Sequence, residues 1–391
     1  MPSATQSNLD SIPVGELGII ALQSSQGLGE RIDRHITSWR KTREHEHLGS
    51  PHLLGYDQDT FLIPVSNPRF GSGEGKGAIY SSVRGKDLYL LVDVCNYSIT
   101  YSLNGIVNHM SPDDHFQDLK RIIAAAGGKA RRITVIMPYL YESRQIKREG
   151  RQSLDCAMAM QELINMGVDQ IITFDSHDPR IQNAIPLHGF ENYQSVYQFL
   201  KGIFKACPDF RTSPSELMIV SPDEAGMKRA IYMANVLGVD MGMFYKRRDY
   251  TRIVDGRNPI LAHEFLGEDV AGKDIVIIDD MISSGNTVLE VCTELKKRNT
   301  ARIFICAAFG LFTAGLESFD EAYEKGLFNA LLSTDLVYQP DELLKRPYYT
   351  GCGMSKFLAL IIDTMNHDGS VSQLLDPIDR INRFLEKQKR S

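Results

Sequence analysis

Short apolar runs alternate along this chain with stretches in which apolar residues recur every three or four positions. The runs fall at 88–94, 133–137, 171–174, 217–220, 241–245, 275–278 and 303–307 and predict strands. Between them, 115–126, 154–166, 224–237 and 288–297 carry the helical period. Gly167, Gly238 and Gly272 sit where helices end or the chain turns. Strand and helix in alternation define an α/β fold with a mostly parallel sheet. Pro186, Pro208 and Pro214 bracket the middle of the chain and predict a boundary near residue 190, between two comparable halves. The highly charged stretch 37–52 reads as a surface insertion, and 377–389 as an exposed amphipathic helix.

With 391 residues and 43% hydrophobic content, the chain has room for a large core in two or three domains. No apolar run approaches the roughly 18 residues that a membrane-spanning helix needs, so no membrane association is expected. The first ten residues are polar and lack a secretion signal pattern. The six cysteines form no Cys-x-x-Cys pair, which fits a cytoplasmic protein. A net charge of −6 argues against a general nucleic-acid binder. It leaves room for a small phosphorylated substrate, which responds to local charge.

In open α/β sheets, ligands bind beyond the carboxyl ends of strands, so the residues after each apolar run carry the chemistry. After 275–278 come Asp279, Asp280, Met281, Ile282, Ser283, Ser284, Gly285, Asn286 and Thr287, then a helix. Small residues let backbone N–H groups close around a phosphate at a helix N-terminus. The two acids suit sugar hydroxyls or a metal. Together they describe a sugar-phosphate pocket, against the plainer reading of a turn capped by Ser284 or Thr287. After 171–174 come Asp175, Ser176 and His177, where period-two spacing would put Asp175 and His177 on one side. His177 is either a metal or phosphate ligand or a structural residue. Asp223, in Ser221-Pro222-Asp223, is either a ligand or a helix cap. Lys246-Arg247-Arg248 and the polar stretch 249–258 form either a solvated face or a mobile loop carrying cations over a phosphate site. Tyr139, Tyr141, Arg144, Gln145, Lys147, Arg148 and Arg151 supply groups suited to a nucleotide. Two decoys are set aside. The Gly-rich 71–77 lacks Walker A spacing and reads as a turn between strands, and His45-Glu46-His47 lacks partner ligands and reads as surface.

Taken in order, these motifs resemble the ribose-phosphate diphosphokinase (phosphoribosyl diphosphate synthase) family, over about residues 18–364. The resemblance implies two phosphoribosyltransferase-like domains, each a mostly parallel sheet flanked by helices. The expected spans are 15–190, with the charged insertion near 37–57, then 191–368, then a tail at 369–391. It implies transfer of the diphosphoryl group of ATP to the 1-hydroxyl of ribose 5-phosphate. Asp279, Asp280, Ser283, Ser284, Gly285, Asn286 and Thr287 would hold the ribose 5-phosphate. Phe70, Glu74, Arg144, Gln145 and His177 would hold ATP, and His177 and Asp223 would meet Mg2+. Lys246 and Arg248 would stabilise the transition state. A hairpin around Phe70 and Glu74 would reach a neighbouring subunit's adenine, implying a homo-oligomer built from dimers, up to a hexamer. Several positions depart from the family pattern: Ser283 for Asp, Asn286 for Gly, Ser72 for Asp, Ser176 for an apolar residue, and Cys306-Ala307-Ala308-Phe309 without a following His. They bear on regulation, nucleotide preference and phosphate affinity more than on the basic reaction. A non-catalytic regulatory paralogue and a phosphoribosyltransferase are the alternatives.

Overall fold

The computed structural model describes residues 12–46, 55–145, 147–148, 150–248 and 260–390. The chain forms two compact units. The first takes everything up to Gln194 together with Asp335–Tyr338 and Gly353–Pro377; the second takes Ser195–Thr334, Gln339–Cys352 and the chain from Ile378.

The first unit runs β1 (Leu17–Ala21), α1 (Gln26–Glu46), β2 (Val65–Ser66), β3 (Ala78–Ile79), β4 (Asp87–Leu91), β5 (Thr100–Leu103), β6 (Ile106–His109), α2 (Pro112–Ala126), β7 (Arg132–Ile136), α3 (Asp155–Asn165), β8 (Gln170–Phe174) and β9 (Gly189–Tyr193). Its sheet has the order β1-β4-β7-β8-β9, and every neighbouring pair is parallel. One face buries Leu88, Leu90, Ile133, Val135 and Ile171 in a cluster with Phe116 and Leu119 of α2 and Met160 and Leu163 of α3. Pro112 opens α2, Ser111 and Asp114 form a reciprocal capping box, and Gly127 at φ 56° ends the helix.

The sheet's other face explains why this unit recruits residues from the far end of the chain. Phe174 and Tyr193 would be bare on that side; instead Phe357, from the helix Ser355–Asn366, packs edge-on against both rings. The segment expected to close the C-terminal half therefore belongs to the N-terminal unit.

The charged stretch from residue 37 corrects another expectation. Residues 37–46 are the last turns of α1, not an insertion, and Arg40 is only 1% exposed. Arg40 donates through Nε to Asp363 Oδ1 (3.0 Å) and through a terminal nitrogen to Asn366 Oδ1 (2.7 Å). Arg43 pairs with the second oxygen of Asp363 and donates to the Tyr56 hydroxyl (3.0 Å). Asn366 in turn donates to Asp87 Oδ2 (2.9 Å), which Arg132 also holds (2.7 Å). Charge at these positions marks a satisfied buried network rather than a solvated face. Residues 47–54 lie outside the described set.

The second unit continues α4 (Val196–Ala206), β10 (Leu217–Ser221), α5 (Met227–Leu237), β11 (Asp240–Arg248), β12 (Ile260–Leu266), β13 (Asp274–Ile282), α6 (Asn286–Lys297), β14 (Ile303–Gly310), α7 (Glu317–Glu324), β15 (Ala330–Thr334), α8 (Asp341–Leu344) and β16 (Tyr349–Cys352). The chain then crosses through α9 (Ser355–Asn366) and α10 (Ser372–Leu375) before α11 (Ile378–Arg390). The sheet order is β12-β11-β10-β13-β14-β15-β16, with β11–β12 antiparallel and the other pairs parallel. From β10 the chain moves outward one way to β11 and β12, then returns to lay β13 on the opposite side. That reversal is a topological switch point, and it opens a crevice at the carboxyl ends of β10 and β13.

The tail is amphipathic as expected but docked rather than exposed. Phe384 of α11 meets Tyr197 and Phe204 of α4 edge-on, Ile381 is fully buried, and the Arg380 guanidinium lies 4.4 Å over the Tyr197 ring. Among the described residues, no helix is long and apolar enough to cross a membrane.

Candidate functional site

The crevice of the second unit holds the acid pair. β13 runs through both acids to Ile282, pairing Asp279 with Ala307 and Ile282 with Gly310 of β14. The strand thus continues four residues past its apolar run. Asp280 is 4% exposed, and a terminal nitrogen of Arg229 on α5 lies 3.5 Å from its Oδ2. Asp279 Oδ1 accepts from the Asp280 backbone N–H (2.8 Å). Burial, then the charge of Asp280 and that of Asp223, push the Asp279 carboxyl well above the ordinary range, and Arg229 opposes them.

Ser283, Ser284 and Gly285 follow, and α6 begins at Asn286. Gly285 stands at φ +90°, and a Cβ there would lie 2.3 Å from the Phe319 ring, so both backbone and space demand glycine. It is the N-cap and brings no side-chain oxygen to the helix start, so neither Ser284 nor Thr287 holds the N-cap position. The start of a three-turn helix favours an anion. Ser283 is braced from the neighbouring loop, its carbonyl accepting from the Thr313 N–H (2.9 Å).

Asp223 approaches from the other side of the crevice. Its Oδ1 accepts from the N–H groups of Ala225 (2.9 Å) and Gly226 (3.2 Å), and its carbonyl accepts from the Ser221 hydroxyl (2.6 Å). It closes the turn that leads into α5 and is not the helix N-cap, which is Gly226, and that turn also places it close enough to act on Asp279. A Cβ at Gly226 would meet Ser221 Oγ at 2.7 Å and Asp279 Oδ1 at 3.5 Å; glycine lets the start of α5 approach the acid pair.

Lys246, Arg247 and Arg248 continue β11 instead of opening a loop. Lys246 pairs with His263 and Arg248 with Ile260 of β12, with a register shift between Arg247 and Arg248. Their side chains, and the polar stretch 249–258, lie outside the described residues.

In the first unit, two candidate segments are anchored on α2. Tyr141, just past β7, stacks on Phe116 (centroids 4.3 Å apart) and donates its hydroxyl to Asp113 (2.6 Å). A turn follows in which the Ser143 N–H reaches the Leu140 carbonyl and Glu142 adopts φ +55°, presenting Arg144 to solvent and leaving Gln145 half-exposed. The second segment is the turn between β2 and β3, where the Phe70 N–H donates to the Glu74 carbonyl and Gly73 stands at φ +90°. The glycine-rich stretch is thus a hairpin turn, as its spacing predicted. Arg69 ties it to Asp118 of α2 (3.2 Å), while the Phe70 ring is 56% exposed and Glu74 is exposed.

The residues after β8 depart from simple alternation. The strand stops at Phe174, and Asp175 turns into the left-handed region at φ +37°. Its N–H donates to the Tyr193 carbonyl (2.8 Å) and that of Ser176 to Asn192 Oδ1 (3.1 Å). Asp175 and Ser176 are buried there while His177 is partly exposed, so period-two spacing does not describe them. Sequence reasoning passed over Asp93, within the run 88–94 although β4 ends at Leu91. Its carboxylate accepts from the N–H groups of Cys95 (2.9 Å) and Tyr338 (2.7 Å), and burial pushes it up to about 7. An acid inside an apolar run was the available signal. Arg229 left no such signal. Among the described residues, no three or more His, Cys, Asp or Glu side chains are grouped to hold a metal. The side chains of His45-Glu46-His47 lie outside the described set.

Two phosphoribosyltransferase-like α/β domains, one bearing an acid pair before a glycine-gated helix start, define the class. Comparison with known proteins narrows it. Residues 17–167 match the model for the N-terminal domain of ribose phosphate pyrophosphokinase, and residues 193–337 that for the phosphoribosyl transferase domain. The chain belongs to the ribose-phosphate pyrophosphokinase family. It is 26% identical over 326 residues to a ribose-phosphate pyrophosphokinase of Synechococcus elongatus, covering 82% of this chain and 87% of that one. It is 27% identical over 319 residues to that of Vibrio parahaemolyticus, covering 81% and 92%. In fold it is similar to the phosphoribosylpyrophosphate synthetase of Mycobacterium smegmatis, with TM-score 0.71 and 20% identity over 90% of this chain and all of that one.

Proposed function

We propose that this chain is a catalytically active ribose-phosphate pyrophosphokinase that transfers the diphosphoryl group of ATP to the 1-hydroxyl of ribose 5-phosphate. The observation that carries the reading is the crevice at the end of β13, where two acids are followed by a small-residue turn and a helix start whose N-cap is Gly285. The 5-phosphate rests on the N–H groups of Ser283, Ser284, Gly285, Asn286 and Thr287, and Asp279 and Asp280 accept from the ribose hydroxyls. The anomeric oxygen then attacks the β-phosphorus in line and AMP leaves. Such a transfer depends chiefly on positioning and charge neutralisation. Arg144, Gln145 and His177 hold the nucleotide, while Lys246 and Arg248 neutralise charge on the group in transfer. Mg2+ keeps most of its own water and takes one or two carboxylates plus substrate phosphates, and Asp223 offers a carboxylate of that kind. Bound there, it would supply neutralisation of the ATP phosphates. The test is whether the purified protein, given ATP, Mg2+ and ribose 5-phosphate, forms AMP.

The assignment of the acids has its own check. Asp280→Asn should weaken ribose 5-phosphate binding at least tenfold, since hydrogen bonds to a charged group contribute about 1.5–3 kcal/mol, and leave ATP binding nearly intact. Equal losses for both ligands in calorimetry would show that the acids chiefly serve the metal.

The protein is proposed to assemble as a homo-oligomer, with the Phe70 hairpin completing a neighbour's adenine site. More than half of the Phe70 ring is exposed in the single chain, against the alternative that it packs into its own core. Mixing inactive Phe70→Ala protein with inactive Lys246→Ala protein under subunit exchange should restore some activity. No recovery despite demonstrated exchange would mean that each chain builds its site alone.

A further inference from the structure

Arg229 has no role in the reaction as described above, yet it faces the acid pair from the first turn of α5. Its side chain is 11% exposed and that of Asp280 is 5% exposed, so their attraction is weakly screened by solvent. Three carboxylates converge on this crevice, and two belong to consecutive residues. Consecutive acids repel, and without an opposing charge one of them would turn away. That change would spoil a pair that must accept hydrogen bonds from sugar hydroxyls. α5 is well placed to hold the opposing charge still. Asp223 closes the turn just before it, and Ala230, Met233 and Ala234 are buried on its inner face.

We infer that Arg229 is a positioning residue for the sugar, holding the Asp280 carboxylate in the orientation that receives a ribose hydroxyl. The guanidinium does this from behind, through Asp280, without touching the substrate. This rests on the reading of the crevice as the ribose 5-phosphate site.

Several consequences separate this role from a structural one. Arg229→Gln should raise the KM for ribose 5-phosphate about tenfold, an ordinary value for one partly buried charge-assisted contact. The KM for ATP should stay within about twofold, because the contact serves the sugar. Arg229→Lys should recover much of the loss, as it keeps the charge but not the planar fork. In an Asp280→Asn background, removing Arg229 should cost nothing further, because the residue it acts through is already disabled.

The experiment is steady-state kinetics on the full chain for the wild type, Arg229→Gln, Arg229→Lys, Asp280→Asn and the Arg229→Gln/Asp280→Asn double variant, with thermal melts as a check on folding. A selective rise in the KM for ribose 5-phosphate that vanishes in the Asp280→Asn background supports the inference. Equal penalties in both backgrounds, or a fall in kcat and ATP affinity with the ribose 5-phosphate KM unchanged, would overturn it. Should Arg229→Gln fail to fold, Arg229→Met and its double variant with Asp280→Asn carry the same comparison. If the wild type makes no AMP, the functional reading itself fails, and that result is distinct from an active wild type with an indifferent Arg229 variant.

Discussion

Alanine at Lys246 or Arg248 should lower turnover by about a hundred- to a thousandfold, the usual cost of losing one donor aimed at charge that develops in a transition state. Both residues lie in the last three positions of β11, beside β10, whose carboxyl end opens on the crevice. Backbone pairing to His263 and Ile260 of β12 holds these positions. In a transfer that needs little covalent help from the protein, cations at such a place are where rate is made. The double variant should lose little more than the worse single variant if the two act on one charge, and the product of the two losses if they act separately. Steady-state kinetics with saturating ATP and ribose 5-phosphate decide this. Near-normal turnover in both single variants would remove them from the chemistry.

Arg40→Ala should destabilise the first unit by about 3–5 kcal/mol, the range for removing one partner of a buried ion pair. Total stabilities are only about 5–15 kcal/mol, so that unit should melt many degrees lower or fail to accumulate. The mechanism is specific. Arg40 joins α1 to α9, and Asn366 extends the connection to Asp87 on β4. Burial raises the Asp363 carboxyl, but Arg40, Arg43 and His367 together outweigh it and hold the group below its ordinary range. The sign follows. A depressed folded-state value means that Asp363 adds stability above the unfolded value and loses it as pH falls through the folded one. Arg40→Ala removes one of these opposing charges, so its penalty should be greatest near neutral pH and shrink in acid. Thermal melts across that range test this, and an unchanged melting temperature at pH 7 would show that Arg43 alone suffices.

The parallel core was legible because buried strands must be apolar whatever their function. Ile275–Ile278 is read from hydrophobicity alone and lies within a strand, and the run 133–137 falls in β7 but for its last residue. Length was less legible, since backbone pairing rather than burial carries β13 through Asp279 and Asp280 and β11 through Arg248. Edge strands such as Gly189–Tyr193 and Tyr349–Cys352 contain too few apolar residues to stand out. Helix α9 escaped for the opposite reason. It is buried nearly all round, from Phe357 to Asn366, and a helix without a polar face has no period to detect. The boundary near 190 lies close to the division at Gln194, but the segment Gly353–Pro377 was placed in the wrong half, because nothing in a linear reading shows that residues near 360 cover Phe174. At the site, the acid pair and its small-residue turn were visible because chemistry limits which residues can serve there. Arg229 and the left-handed Asp175 depend on three-dimensional neighbours and were not.

The central claim is that this chain makes phosphoribosyl diphosphate itself. Purified protein with ATP labelled at its phosphates, Mg2+ and ribose 5-phosphate should yield AMP and a labelled sugar diphosphate in equal amounts, and neither product when ribose 5-phosphate is omitted. Formation of ADP, or consumption of added phosphoribosyl diphosphate with a nucleobase, or no reaction from folded protein that still binds both ligands, would contradict it.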